Sequence, residues 1–295
     1  LFVFLLGKSW LTWSDPLIDF PRDLYIAWRI SAGDLLYREL ANWYGPLANL
    51  VEGAGFKVFG VGFDTMVWMN IVLLVAALLL LRAIFGLIGN RLSVWLGSVV
   101  FLVVFAFGNL AYYSNYNFIT PYVAQSTYSF LGLLLALWGL LKQLKTDRVI
   151  WLGVAGVGLA VAYLDKPEAV LAAVGAIGVF LFAQSARLRR RGDAAGRWEL
   201  KAVAWLLGGF FCLWLPVFWY FCFQGGWSFA LEATDRVLTT LLDPAIRGEG
   251  INAQLMQHNL GLDHPWGNFV IELRMGGGLA VVCGAFMLGA WMLAR

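Results

Sequence analysis

Long apolar runs recur along this chain, and they constrain its fold more than any other feature. A helix needs about 20 apolar residues to cross the hydrocarbon of a bilayer. Runs close to that length lie at 66–88, 92–110, 122–144, 149–164, 167–186, 202–223 and 276–294. Backbone groups in lipid must pair within their own segment, and no run alternates like a membrane barrel strand. The sequence therefore predicts an all-α, polytopic integral membrane protein.

The first apolar run, 1–13, is too short to span a bilayer, and the chain does not begin with Met. We therefore expect a fragment that lacks part of its first helix. Counting that partial run, the pattern predicts about eight transmembrane helices. Hydrophobic residues make up 61% of the chain and charged residues 13%. A water-soluble domain could not carry these proportions without large exposed apolar patches.

Basic residues in the connections predict the orientation. Arg187, Arg189, Arg190 and Arg191 form a cluster that is expected to stay on the inner side. Two long loops, 14–65 and 224–275, then face outward, so function is sought on the outer face. The same placement explains the pI of about 8.8 without a nucleic-acid partner.

The first outward loop contains two stretches with helical periodicity. In the first, Arg22 and Arg29 share one face of the helix. Another face is mostly apolar and carries Phe20, Leu24, Ala27, Trp28, Ser31 and Leu35. The second follows Pro46, with its apolar positions at Leu47, Leu50, Val51, Ala54 and Val58. Both patterns predict juxtamembrane helices that lie in the membrane interface.

Short sequence elements follow one another in this loop. They are Asp19 to Ala27, Gly33 to Glu39, Tyr44 to Leu47 and Phe59-Gly60. In order and spacing they resemble the first periplasmic loop of the GT-C glycosyltransferases, closest to the protein O-mannosyltransferase-like group and the lipid A aminoarabinose transferases. Tyr163 to Glu168 resembles a Lys-Pro-Glu signature of these enzymes at a helix end.

Two positions depart from the pattern of that family. Phe20 replaces the Glu that usually follows the Asp, and Gly45 replaces the first Pro of a Pro-Pro-Leu turn. The enzymes are also longer, so the resemblance implies a single GT-C-like transmembrane domain over 1–295 that is truncated at both ends.

The resemblance implies transfer of a hexosyl or pentosyl group from a polyprenyl-phosphate carrier, with inversion, at the periplasmic or extracellular side of a bacterial inner membrane. The acceptor could be a lipid, a glycan or a protein. The lipid-linked sugar would be a co-substrate; no cofactor is implied, and dependence on a divalent metal is left open.

Asp19 stands where the catalytic Asp of the family stands, which implies a base that takes the proton of the acceptor. Alternatively, Asp19 only caps the following helix. Lys166 and Arg22 are expected to hold the carrier phosphate. Lys166 could instead be a snorkelling side chain paired with Asp165 or Glu168.

Tyr44, Tyr116 and Asn117 are expected to bind sugar hydroxyls, because phenol and amide groups form such hydrogen bonds. His264 is expected to contact the acceptor or the carrier. The spacing of His258 and His264 fits no common metal template, so no metal site is predicted.

Two other functions remain open. A transporter or flippase of lipid-linked sugars would show paired broken helices in two halves. No such pair is visible in the sequence, in which Pro216 is the one strong helix breaker inside an apolar run. A non-catalytic membrane subunit would tolerate replacement of Asp19.

Overall fold

The computed structural model describes residues 1–11, 20–111, 117–190, 195–242, 263–271, 273–274 and 277. The chain divides into two compact units, Leu1–Leu238 and Thr239–Arg295. Among the described residues every regular element is a helix and none is a β-strand, which confirms the all-α prediction.

The described helices differ widely in length. Their bounds are α1 Phe2–Ser9, α2 Phe20–Ala32, α3 Leu47–Phe59, α4 Phe63–Ile88, α5 Arg91–Val100, α6 Ala124–Thr146, α7 Ile150–Asp165, α8 Pro167–Arg190 and α9 Ala195–Leu242. The last turns of α5 continue as a π-helix, Phe101–Ala106, and a 3₁₀ turn follows at Gly108–Ala111.

Four described segments are long and apolar enough to cross a membrane, and they agree with a membrane protein. They are Phe63–Ile88, Ala124–Thr146, Ala169–Arg190 and Gly196–Asp235. Two further apolar helices, Arg91–Ala106 and Ile150–Asp165, are shorter. The second stops where Pro167 disfavours helical geometry at the residue before it. The prediction of about eight spans is thus not confirmed, and the run at 276–294 lies outside the described residues except for Gly277.

Helices α6 and α7 pack together through small residues. A Cβ atom on Gly132 would lie 2.5 Å from the carbonyl oxygen of Gly158, and one on Gly158 would lie 2.4 Å from that of Gly132. The two backbones approach this closely because neither glycine has a side chain. This antiparallel pair places Asp165 and Lys166, at the end of α7, beside the first turn of α6.

Helix α9 changes direction at Gly226, whose φ of 83° is incompatible with a continuous helix. The rings of Phe218 and Trp227 lie 4.9 Å apart. In a straight helix, nine residues would separate them by about 13.5 Å along the axis. Part of the predicted outward loop 224–275 is therefore helical, and the segment after Gly226 returns to bury Ala230 and Ala233 beside Phe221.

Helices α2 and α3 pack on each other, and α3 also contacts α6 and α7. On α3 the buried face carries Ala48, Asn49, Glu52 and Phe56. Most of the apolar face recognised in the sequence points away from the protein, with Val51, Ala54 and Val58 exposed. The face that carries Asn49 and Glu52 is thus the one that the protein interior covers.

Candidate functional site

Tyr44 brings together two cationic side chains that are distant in sequence. Its ring lies 5.3 Å from the guanidinium carbon of Arg22, on α2. It also lies 5.3 Å from the Nζ atom of Lys166, which follows α7. Both distances are those of cation–π contacts. Three of the residues singled out in the sequence, Arg22, Tyr44 and Lys166, therefore meet at one place.

The turn that carries Tyr44 is fixed by hydrogen bonds. The hydroxyl of Tyr37 donates to the carbonyl oxygen of Tyr44 at 2.6 Å, and Nδ2 of Asn42 donates to the same oxygen at 3.3 Å. The N–H of Gly45 donates to the carbonyl oxygen of Asp165 at 3.1 Å. These bonds attach the turn to the end of α7, and thus hold Tyr44 near Lys166.

The structure gives a physical reason for Gly45 at the position where the GT-C pattern that this loop resembles has a proline. A Cβ atom there would lie 1.9 Å from the carbonyl oxygen of Leu164 and 2.9 Å from the Cα atom of Asp165. A proline would meet the same backbone and would lack the N–H that bonds to Asp165. The close approach of the turn to α7 therefore requires glycine.

Two buried carboxylates lie next to these cations. Asp23 is 1% exposed and Asp165 is 0% exposed. The Oδ1 atom of Asp23 lies 3.3 Å from the guanidinium of Arg22, and its Oδ2 accepts from the N–H of Ala124 at 3.0 Å, where α6 begins. The Oδ1 of Asp165 accepts from the N–H of Ala48 at 2.8 Å, in the first turn of α3. Each carboxylate thus faces the positive end of a helix dipole.

A third carboxyl group, that of Glu52 on α3, is fully buried. Burial raises the pKa of Glu52 well above its ordinary value, and the nearby carboxylates of Asp23 and Asp165 raise it further. Three acidic groups therefore lie in the interior of α2, α3, α6 and α7.

The structure says less about the other predicted site residues. Asp19 and Tyr116 lie outside the described residues. Asn117 is buried, and its Oδ1 accepts from the N–H groups of Ile119 and Thr120, so its carbonyl group serves the local turn. His264 belongs to the second compact unit, where its backbone N–H donates to the side chain of Asp263.

Sequence reasoning did not single out Asp23 or Glu52, although each carried a signal. Asp23 falls within the stripe that holds Phe20 and Ala27, and Glu52 falls four residues after Ala48 and four before Phe56. A carboxyl group in line with buried residues at helical spacing indicates burial with a partner or a function.

This arrangement is suited to an anion at the surface and to positive charge in the interior. Arg22 and Lys166 are partly exposed around Tyr44, whereas the carboxylates lie behind them. Among the described residues, no group of three His, Cys, Asp or Glu side chains could hold a metal ion. Comparison with family models, curated proteins and solved structures finds no match to this chain.

Proposed function

We propose that this protein is a membrane glycosyltransferase that moves a sugar from a polyprenyl-phosphate carrier to an acceptor at the outer face of the membrane. The observation that carries the proposal is the contact of both Arg22 and Lys166 with the ring of Tyr44. The first-loop residues that resemble the GT-C pattern supply two of the three, and the Lys-Pro-Glu stretch supplies the third.

The two cations suit the chemistry of the leaving group. Inverting transfer forms a bond between the acceptor oxygen and the anomeric carbon and breaks the bond from that carbon to the phosphate oxygen. Asp19 takes the proton of the acceptor, and polyprenyl phosphate departs with the electron pair. Arg22 offers a fork of N–H donors to the phosphate and Lys166 a compact charge, and together they stabilise the charge that develops.

An apolar groove supports a lipid-linked donor. It has a volume of about 520 Å³ and runs between α4, α5 and α6, with a lining that includes Leu81, Phe85, Phe105 and Phe130. Its lining also includes Ser126, two residues beyond Ala124, whose N–H binds the Asp23 carboxylate. The groove therefore reaches the first turn of α6, the turn that is capped by Asp23, the neighbour of Arg22 in the sequence.

The test is sugar transfer by the full-length protein in detergent from a panel of synthetic polyprenyl-phosphate sugars. Asp19→Asn should lower kcat by about 10²- to 10⁴-fold, the usual contribution of a general base. Lys166→Ala should lower kcat/KM by roughly 10- to 100-fold, the loss of one charge-assisted contact. Arg38→Ala removes an exposed cation from the same loop and should leave transfer unchanged.

Consumption of no donor by the wild-type protein would refute the proposal. So would an Asp19→Asn variant as active as the wild type, or a Lys166→Ala variant no weaker than Arg38→Ala. Movement of the intact carrier across vesicles without transfer of its sugar would identify a flippase instead.

A further inference from the structure

Five polar side chains converge in the interior of α3, α6 and α7, behind the site of Arg22 and Lys166. Asn49 and Glu52 share one face of α3, and Gln125 and Ser129 share one face of α6, by their spacing of three and four residues. The Nε2 of Gln125 donates to the Oδ1 of Asn49 at 3.1 Å, which joins the two faces. Asp165 closes the group through its bond to Ala48, the residue before Asn49.

These side chains leave a set of buried atoms without hydrogen-bond partners in the described part of the chain. The atoms are both carboxylate oxygens of Glu52, Oε1 of Gln125, Oδ2 of Asp165, Oγ of Ser129 and Nδ2 of Asn49. The first four only accept hydrogen bonds when the carboxyl groups are ionised, whereas Nδ2 only donates. Buried polar atoms are rarely left in this condition, because each one costs about 1–3 kcal/mol. The group therefore has more acceptors than its own donors can satisfy.

Negative and positive charges are also not balanced in this region. Asp23 faces the guanidinium of Arg22 and the first N–H of α6, and Asp165 faces an N–H in the first turn of α3. Glu52 has neither an ion pair nor a hydrogen bond among the described residues, and it is fully buried. An isolated buried carboxylate is strongly unfavourable. One positive charge would balance it.

We propose that α3, α6 and the end of α7 enclose a binding site for one monovalent metal cation of the sodium class. The carboxylate of Glu52 supplies the charge, and oxygen atoms of Gln125, Ser129 and Asp165 complete the ligand set. Hard cations prefer such carboxylate, amide and hydroxyl oxygens. One of the two carboxylates in this set, Asp165, already accepts the N–H of Ala48, and no three grouped acidic, His or Cys ligands occur in the described residues, which favours a monovalent ion over a divalent one.

A proton competes with this cation for the same carboxylate. Because the pKa of Glu52 is raised by burial and by Asp23 and Asp165, acid favours the protonated form. Tyr128 of α6 is a further titratable group in electrostatic contact with Glu52. Sodium binding should therefore tighten as the pH rises, since binding to the protonated carboxyl group releases a proton.

The site is tested with the full-length protein in detergent micelles, with the fluorescence of its 15 tryptophans as the signal for thermal unfolding. Sodium chloride replaces N-methylglucamine chloride at constant ionic strength and pH 8. The wild-type midpoint should rise with sodium and then saturate, because a ligand that binds the folded state stabilises it. Glu52→Gln should abolish the rise. In Ser129→Ala, the half-maximal rise of the midpoint should need a higher sodium concentration than in the wild type.

Asp64→Asn provides the matched control, because Asp64 is an exposed carboxylate in the first turn of α4. This variant should respond to sodium as the wild type does. If Glu52→Gln does not fold, the Ser129→Ala shift carries the test. A wild-type midpoint that is equal in both salts overturns the proposal, as does a midpoint that rises only on acidification, which would show that Glu52 holds a proton. Neither result depends on sugar transfer, so this site and the proposed activity fail separately.

Discussion

The turn at Gly45 offers a sharp test of how the first loop is attached to α7, through the substitution Gly45→Ala. The added Cβ would lie 1.9 Å from the carbonyl oxygen of Leu164, 2.5 Å from its carbonyl carbon and 2.9 Å from the Cα atom of Asp165. All three are backbone atoms, so no side-chain rotation can relieve the overlap. The turn must therefore move away from α7.

Two effects set the magnitude of this change. Separation of the turn from α7 breaks the bond from the Gly45 N–H to the Asp165 carbonyl oxygen, now 3.1 Å, whose net contribution is about 0.5–1.5 kcal/mol. Overpacking against a rigid backbone costs about 1–3 kcal/mol. We therefore expect the free energy of unfolding to fall by roughly 1.5–4.5 kcal/mol, by addition of these two ranges.

The assay is reversible unfolding in mixed micelles, followed by tryptophan fluorescence. Gly175→Ala serves as the matched control, because a Cβ atom on this glycine of α8 would have no heavy atom within 4 Å. This control should change the free energy of unfolding by less than about 1 kcal/mol, in the stabilising direction that helix propensity gives to alanine.

The position of Tyr44 gives a second signal from the same variant. Because Tyr44 precedes Gly45, displacement of the turn should move its ring away from Lys166, and KM for a polyprenyl-phosphate donor should rise under the proposed function. A Gly45→Ala protein as stable as the Gly175→Ala control would refute the close approach of the turn to α7.

Two other substitutions test the interior. Glu52→Gln should flatten the dependence of stability on pH in sodium-free buffer. The pKa of Glu52 is raised in the folded state, so this residue contributes stability that is complete below its unfolded pKa of about 4.3 and is lost as pH rises through the folded pKa. An unchanged pH profile of unfolding would contradict this. Gly158→Leu, which forces a side chain against Gly132 at the contact of α6 with α7, should cost at least about 1–3 kcal/mol, whereas Gly178→Leu on α8 has open space and should cost less. Equal midpoints for the two leucine variants would exclude the close packing.

The long apolar helices were predictable from the sequence because their signal is local. The run at 66–88 corresponds to α4, Phe63–Ile88, and the run at 122–144 corresponds to α6, Ala124–Thr146. Continuous hydrophobicity over such a length specifies a helix without information from the rest of the chain. The turn at Gly226 and the helix after it escaped prediction, because the return of that segment depends on contacts with Phe218 and Phe221.

The candidate site was predictable in part. Arg22, Tyr44 and Lys166 stood out because their surroundings resemble a family pattern, and the structure brings them together. The acidic interior was not predicted. Asp165 is separated by 117 residues from Ala48, the residue whose N–H it binds, so no local pattern indicates that a helix of the first loop begins against the end of α7.

The two capping carboxylates give the first loop a structural role. Asp23 belongs to the loop and binds the first N–H of α6, whereas Asp165 belongs to α7 and binds an N–H in the loop. The connection is therefore reciprocal, and both bonds are buried, where charge-assisted hydrogen bonds are strong. A loop attached in this way cannot open as a lid without exposing two helix ends and two carboxylates. Arg22 and Tyr44 are accordingly held in fixed positions relative to Lys166, which is the preorganisation that the proposed stabilisation of a departing phosphate would require.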